Sequence, residues 1–487
     1  MRPLHAIALT ALVLTALLTS GCEDRINDSP ELTLSFSDDT LRFDTVFTEQ
    51  GSATRIAMVY NRNKEAIRIE SVSMGQNSSF KINLDGETAI DNMKDIVIRG
   101  GDSMYMFVKV YINPQNSASP VLVEDSVLFK VNGRIQRMRL EAFGQDVILM
   151  HKDTLYGNTT WGGDKPYLVL DTTYAVGDVT IKEGTTFYMH DDAVIVFLGS
   201  LKIEGTLNKP VTIRGDRLDN ILRDIPYDYA SGKWGGLFLL PPETAIKNPT
   251  YDINYLDVHS GTLGLFCQSS RTFLLPTLKL NNSRIHNCST YGLVVQNMNA
   301  EVVNTEISNC AGYCVYLSGG KHTFVHNTIA NYFNYLKESV SIHSVRREDV
   351  TTVYISDLSK NQVRTEANFS NNVISGWRKQ NVMIATSLPE RYDGTFLCNF
   401  LRNDTLSTTL FPHNYYEQET DTVFLRTYMS REDKTYYDFR LDSVSPARDI
   451  ADSLTAAKYP LDRNGNNRLA DGKPDAGCYE WQSQTEE

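Results

Sequence analysis

The sequence predicts an all-β protein, an N-terminal antiparallel β-sandwich followed by a right-handed parallel β-helix. Three observations predict it. Between residues 31 and 148, short runs of Val, Ile, Tyr and Phe alternate with polar residues and are punctuated by Gly, Asn, Asp and Ser, the period-two pattern of sandwich strands. Further along, "VGDVTIKEGT" from Val176 is echoed by "LGSLKIEGT" from Leu198, which aligns Gly177 with Gly199, Val179 with Leu201 and Ile181 with Ile203. "NSRIHNC" from Asn282 and "NTEISNC" from Asn304 repeat at the same 22-residue offset, aligning Asn282/Asn304, Ile285/Ile307, Asn287/Asn309 and Cys288/Cys310. A period of roughly 20 to 25 residues with strand-like alternation and no helical pattern belongs to a solenoid of short parallel strands. The frame of leucine-rich repeats is absent, so the β-helix is the solenoid that fits. Its coils stack about 4.8 Å apart, which sets equivalent residues of successive coils directly over one another.

At 487 residues the chain is too long for one ordinary domain unless part of it grows along one axis. Residues 1–22 hold one Arg, an apolar run from Ala6 to Leu18 and small residues ending in Cys22, the layout of an export signal and not of a structural helix. The ending Ser20-Gly21-Cys22 resembles the lipobox of bacterial lipoproteins, with Thr19 where that family usually has Leu. The resemblance implies cleavage before Cys22 and lipidation of Cys22; an ordinary secretory signal with an incidental Cys is the alternative. Glu23-Asp24 is similar to the acidic tag of Bacteroidota surface lipoproteins, which implies the outer face of the outer membrane, with the periplasmic face as the alternative. No other stretch approaches the ~20 apolar residues of a membrane span, so membrane contact is expected through the lipid alone.

Loss of residues 1–21 removes one of 47 basic residues, leaving 46 against 59 acidic ones and a net charge of −13. That balance excludes nucleic acid as a partner, which demands basic patches. Of seven cysteines, six remain after Cys22, an even number that permits disulfides without requiring them in a chain of this size.

In the front domain, residues 31–148, nine strand-like stretches run from "ELTLSFS" to "RIQRMRLEAFG". With Asn61 after the third strand and Gly144 closing the last, the pattern resembles an immunoglobulin-like domain. It holds no cluster of catalytic side chains, and the role this implies is a spacer. The polar stretch "LMHKDTLYGNTTWGGDKP" reads as a joint to a β-helix over 160–481, with nine or ten coils between about 166 and 380. "YDINYLDVHSG", "TFVHNTIANY" and "NFSNNVISGW" continue the register, while "SSRTFLLPT" and 333–366 leave the coils as loops. The whole is similar to the pectate-lyase-like β-helix superfamily, and more narrowly to Bacteroidota surface lipoproteins that join an immunoglobulin-like domain to a β-helix. That resemblance spans nearly the whole mature chain and implies fold, not activity, because such helices host lyases, hydrolases, adhesins and scaffolds. Asp462, Gly465, Arg468, Asp475, Gly477 and Glu480 match the closing segment of many bacterial β-helix proteins, and are expected to cap the last coil.

A β-helix glycosidase needs converging carboxylates about 5 to 9.5 Å apart, and a lyase needs a Lys or Arg base beside acids that hold calcium. The repeated positions are Asn, Ser, Thr and apolar residues, and polygalacturonase motifs are missing, so no catalytic residue, cofactor or metal is expected. His190-Asp191-Asp192 reads as a turn. "DRNGN" from Asp462 fails the EF-hand frame, having Asn467 and Lys473 where Gly and the acidic ligand belong. His322 and His326, four apart on a strand, would stand over ~13 Å apart. The Cys288/Cys310 and Asn pairs read as stacked ladders and not as metal ligands with His286.

The best functional surface is the segment 214–236, "RGDRLDNILRDIPYDYASGKWGG", which interrupts the coils. Asp216, Arg217, Asp219, Arg223, Asp224, Tyr227, Tyr229 and Trp234 combine rings with charged hydrogen-bonding groups, a set suited to a glycan. The alternative is that Trp234 packs in the core and the charges pair among themselves. The function expected is a lipid-anchored outer-membrane surface protein that binds glycans or partner proteins. A polysaccharide lyase or glycoside hydrolase, and a structural subunit of an outer-membrane complex, are the alternatives.

Overall fold

The computed structural model describes residues 25–88, 93–222, 225–243, 247–270, 273–333, 351–357, 363–386, 393–403, 411, 413–430 and 436–483. The signal segment with Cys22, together with Arg223 and Asp224, lies outside the described residues. Two compact units divide the chain, Met1–Asp146 and Val147–Glu487. Among the described residues no helix is long and apolar enough to cross a membrane.

In the first unit all nine strand-like stretches form strands. Ser35–Phe36, Arg55–Tyr60, Ser103–Val110 and Phe80–Leu84 make one sheet; Thr40–Phe47, Arg134–Gln145, Val121–Val131, Ile67–Ser73 and Lys94–Ile98 make the other. Alternate side chains meet in a core that includes Phe43, Ile69, Phe80, Val108, Phe129 and Leu140. One pairing departs from the antiparallel expectation: Thr40–Phe47 runs parallel to Arg134–Gln145. These strands are separated by most of the domain, so no hairpin forces them antiparallel. Asn61 is buried and donates its side-chain amide to the carbonyls of Glu65 at 2.8 Å and Ile98 at 2.9 Å, pinning the turn after its strand.

The second unit is a parallel β-helix built on three long sheets. Among the described residues, sheet 1 has eleven strands from Ile148–Met150 to Tyr415–Tyr416; sheet 2 has nine, from Thr154–Leu155 to Val382–Thr386; and sheet 3 has nine, from Thr159–Trp161 to Phe396–Leu397. The stretch expected to be a joint is the first coil. Met150 and Trp161 turn inward to join the solenoid core while its polar residues face out, so the helix starts at Ile148 and not at 160. Both sequence echoes are register pairs, Val179 with Leu201, Ile181 with Ile203, Ile285 with Ile307 and Cys288 with Cys310.

The recurrent asparagines have a backbone cause first. Asn282, Asn287, Asn304 and Asn309 all adopt positive φ between 51° and 55°, a corner conformation that Asn tolerates better than most residues. Asn304 Nδ2 then donates to Asn282 Oδ1 at 3.2 Å, and Asn282 Nδ2 to Asn254 Oδ1 at 2.8 Å. The second expected ladder does not form: Asn287 Nδ2 donates to the Asp228 carbonyl and Asn309 Oδ1 accepts from the Tyr332 amide. A ladder that the repeats did not reveal runs from the buried Asn327, Asn372 and Asn399 to the half-buried Asn414, with links of 2.9, 2.8 and 2.9 Å. Cys288 and Cys310 stack as buried free thiols.

The C-terminal segment does not close the end of the solenoid as expected. It lies along the side of the coils, where Arg463 Nε donates to the Ser283 carbonyl, Arg468 Nη2 to Asn304 Oδ1, and the Gly477 amide to the Asn371 carbonyl. The hairpin of Phe424–Arg426 and Asp438–Leu441 packs Phe424 and Phe439 against Tyr332, Val373 and Phe400 on the outer face of sheet 1. Those outward apolar residues explain the placement: a solvent-facing sheet does not need them, and a covered one does. His326 also differs from expectation. It sits at a corner with φ 53°, beyond the strand Gly320–Val325.

Candidate functional site

The segment 214–236 leaves sheet 1 after Val211–Gly215 and re-enters the coils at Gly236–Leu239. Arg217 grips Asp219 through Nε at 2.9 Å and Nη2 at 2.5 Å, and its guanidinium lies 4.7 Å over the Tyr227 ring. Asp216 Oδ2 lies 2.5 Å from Nδ1 of His190, in the turn that the sequence predicts. Tyr229 stands apart from this group, stacked on Tyr436 at 4.4 Å, and burial pushes its phenol up to about 12. Trp234 is fully buried and donates Nε1–H to the His259 carbonyl at 2.8 Å. It fills the core at the start of a coil and leaves the set of ligand-contacting candidates. Among the described residues Arg217 pairs with Asp219, Arg214 with Asp228 and Asp216 with His190, so this part of the segment forms a cover over the coils more than an open receptor.

What this cover delivers is Asp228, which the sequence did not single out. Arg214 Nη2 holds Asp228 Oδ1 at 2.5 Å, and His259 Nε2 lies 3.3 Å from the same oxygen. On the outer face of sheet 1, Asp257 stacks under Arg284 and Glu306 in one column, and His259 under His286 and Ser308 in the next. The repeated positions, expected to be Asn, Ser, Thr and apolar residues, thus include a charged column on this face. Arg284 Nε pairs with Glu306 Oε1 at 3.0 Å, and Tyr479 Oη donates to Glu306 Oε2 at 2.5 Å. Burial works against the Glu306 carboxylate, yet Arg284 and the Tyr479 hydroxyl hold it down at about 2. For Asp257, burial is likewise outweighed by the hydrogen bond from His259 and the neighbouring His286 ring, which hold it well below the carboxylate range. Burial and the Arg284 charge push His286 down to about 4. His259, between two carboxylates, is raised although burial opposes it.

Sheet 2 carries a different surface. One outward column reads Phe238, Phe266, Val294, Tyr316, Tyr354 and Met383 in register. Tyr291 and Tyr313 flank it, and the rings stack: Tyr291 on Tyr313 at 5.6 Å, Tyr313 on Tyr354 at 4.8 Å, and Tyr316 on Tyr354 at 5.6 Å. All four tyrosines are half-buried. Beside them Gln268, Gln296, Ser318 and Ser356 line up as a polar column. Stacked rings next to amides and hydroxyls can meet the C–H face and the hydroxyl edge of a sugar at once. The sandwich has its own groove of about 800 Å³, lined by Met74, Phe80, Ile82 and Phe107 with Lys81 and Lys109.

No family model matches the chain, and no curated protein matches it. A family 123 glycoside hydrolase from Clostridium perfringens is similar over 25% of this chain and 30% of its own, with 9% identity and a TM-score of 0.18. The VesB protease of Vibrio cholerae is similar over 23% and 31%, with 12% identity and a TM-score of 0.17. This chain thus spans less than a third of either structure. Likenesses that local carry neither fold nor activity to it.

One of these two surfaces had a legible signal in the sequence. Tyr291 and Tyr313 are separated by the 22-residue period, so the aromatic stack follows from the ruler that gave the fold. His259 and His286 are 27 apart, because the loop "SSRTFLLPT" lengthens that coil, and their alignment was hidden by it.

Proposed function

We propose that this protein is a lipid-anchored surface protein of the outer membrane, of the Bacteroidota lipoprotein type, whose β-helix binds glycan chains without cleaving them. The observation that carries the proposal is the stack of Tyr291, Tyr313, Tyr316 and Tyr354 on sheet 2, four rings within 6.4 Å of a neighbour and beside a polar column. Coils repeat about 4.8 Å apart, close to the length of a sugar unit, so a linear chain laid along the helix meets a comparable environment at each step. The sandwich then serves as a spacer from the lipid. The net charge of −13 after cleavage favours neutral glycans over polyanionic ones.

A second reading is an enzyme acting on a polysaccharide. Its specific support is the set of carboxylates Asp228, Asp257 and Glu306 beside Arg214 and Arg284 on sheet 1. The deciding experiment is a glycan array with the full chain, run beside a pull-down from intact outer membranes. Retention of a polysaccharide, weakened by Tyr316→Ala and Tyr354→Ala, supports the binding function. Release of shortened products moves the assignment to the enzyme, and capture of a membrane protein unaffected by either variant moves it to a structural subunit.

A further inference from the structure

Asp257, His259 and His286 form, among the described residues, a group whose ligand atoms all lie within 4.8 Å of one another. His259 Nδ1 is 2.8 Å and His286 Nε2 3.3 Å from the same oxygen, Asp257 Oδ1. The two imidazoles occupy register-paired positions on adjacent strands and stack at 4.8 Å. Four-coordinate zinc with bonds of about 2.0–2.1 Å separates its ligand atoms by ~3.3 Å. These atoms already lie near the spacing that one ion requires.

Two further features point to a cation and not to a closed ion network. His286 Nε2 is buried and makes no hydrogen bond. Arg214 pairs with Asp228 and Arg284 with Glu306, which leaves Asp257 with the two imidazoles as its ion-pair partners. Asp228 lies 3.3 Å from His259 Nε2, the carboxylate–histidine arrangement that fixes a ligating imidazole with its other nitrogen towards the metal. The Asp257 side chain keeps 22% of its surface exposed, against 9% and 7% for the histidines, so the carboxylate is the ligand most open to solvent.

We propose that Asp257, His259 and His286 bind one divalent transition-metal ion, zinc by preference, with Asp228 orienting His259 from behind. Two imidazoles and a carboxylate suit zinc and leave one position open. Binding is independent of the tyrosine stack on sheet 2.

The test uses the full chain without an affinity tag, stripped with chelator and titrated with Zn²⁺ by calorimetry and with Co²⁺ by visible absorption. One equivalent is expected to bind, with a ligand-field spectrum of low-coordinate Co²⁺. His286→Gln should weaken zinc by more than about 100-fold, and Asp228→Asn by about 10–100-fold. His190→Ala should bind as the wild type does. Circular dichroism of each metal-free variant checks the fold, and if His286→Gln does not fold, Asp257→Asn decides. Absence of stoichiometric binding at neutral pH, or equal affinity in wild type, His286→Gln and Asp257→Asn, overturns the proposal.

Discussion

Asn327 donates its side-chain amide to Oδ1 of Asn372 at 2.9 Å although 45 residues separate them. The same Asn372 oxygen accepts from the Asn327 backbone amide at 2.8 Å, while Asn372 Nδ2 donates onward to Asn399 Oδ1. Both residues are fully buried. The ladder holds coils in register where the chain between them departs from the 22-residue spacing.

Asn372→Ala removes an acceptor for two donors of Asn327 and a donor to Asn399 at once. Each buried group left unsatisfied costs about 1–3 kcal/mol. A loss of at least ~2 kcal/mol in urea unfolding is expected, against a change within about 0.5 kcal/mol for Lys279→Ala on the exposed face of sheet 3. Equal effects of the two variants would show that the ladder is not a register device.

His322 is fully buried between Ala300 and Ala367 in its column, and neither ring nitrogen has a hydrogen-bond partner. Burial pushes its pKa down to about 3. The unfolded chain therefore binds a proton that the folded one refuses between the ordinary histidine value and about 3. Stability is full above pH ~6.5 and falls by about 1.4 kcal/mol for each pH unit below it, on the order of 2 kcal/mol by pH 5. His322→Leu should match or exceed the wild type at pH 7 and lose less stability between pH 7 and pH 5. Parallel pH dependence in the two proteins would place the titration elsewhere.

Tyr316→Ala and Tyr354→Ala remove adjacent rings of the stack at 5.6 Å. If a glycan lies there, each truncation should weaken it by ~2 kcal/mol, about 30-fold. Thermal stability should change little, because both side chains point away from the core and are half-buried. Surface plasmon resonance with the polysaccharide identified on the array supplies the measurement.

Arg468 is fully buried, with Nη2 on Asn304 Oδ1 at 3.0 Å and Nη1 3.4 Å from Glu480. Arg468→Ala takes away the donor to Asn304 Oδ1; burial pushes Glu480 up to about 8, so the loss is that of unsatisfied buried polar groups, about 1–3 kcal/mol. Because the C-terminal segment lies along the coils, that loss should appear as early proteolytic release of residues after about 416, with the strand signal in circular dichroism largely kept. Collapse of the strand signal together with the release would assign the segment an end-capping role after all.

The alternation before residue 148 and the recurrence of Gly177/Gly199 and Cys288/Cys310 were enough to specify a sandwich and a stacked solenoid. Both patterns reflect backbone rules that act locally: period-two burial within a strand, and a fixed number of residues for each turn of the coil. Gly199 shows how local the rule is. A Cβ there would overlap the backbone oxygen of Gly177, so the stack itself demands Gly at that corner.

The sites escaped the same reasoning for a physical cause. Asp228 comes from a cover segment, Asp257 and His259 from one coil, His286 from the next and Tyr479 from the C-terminal segment. Loops of unequal length separate them, and loop closure depends only weakly on length, so no spacing marks their meeting. Sequence by itself determined the all-β class, the two units and the inward place of Ile285 and Ile307. Tertiary structure alone decided that Trp234 is core, that the C-terminal segment runs sideways, and that two histidines and an aspartate share one oxygen. Those outcomes rest on contacts between distant segments, whose energies depend on shape and pairing in space and leave no period in the chain.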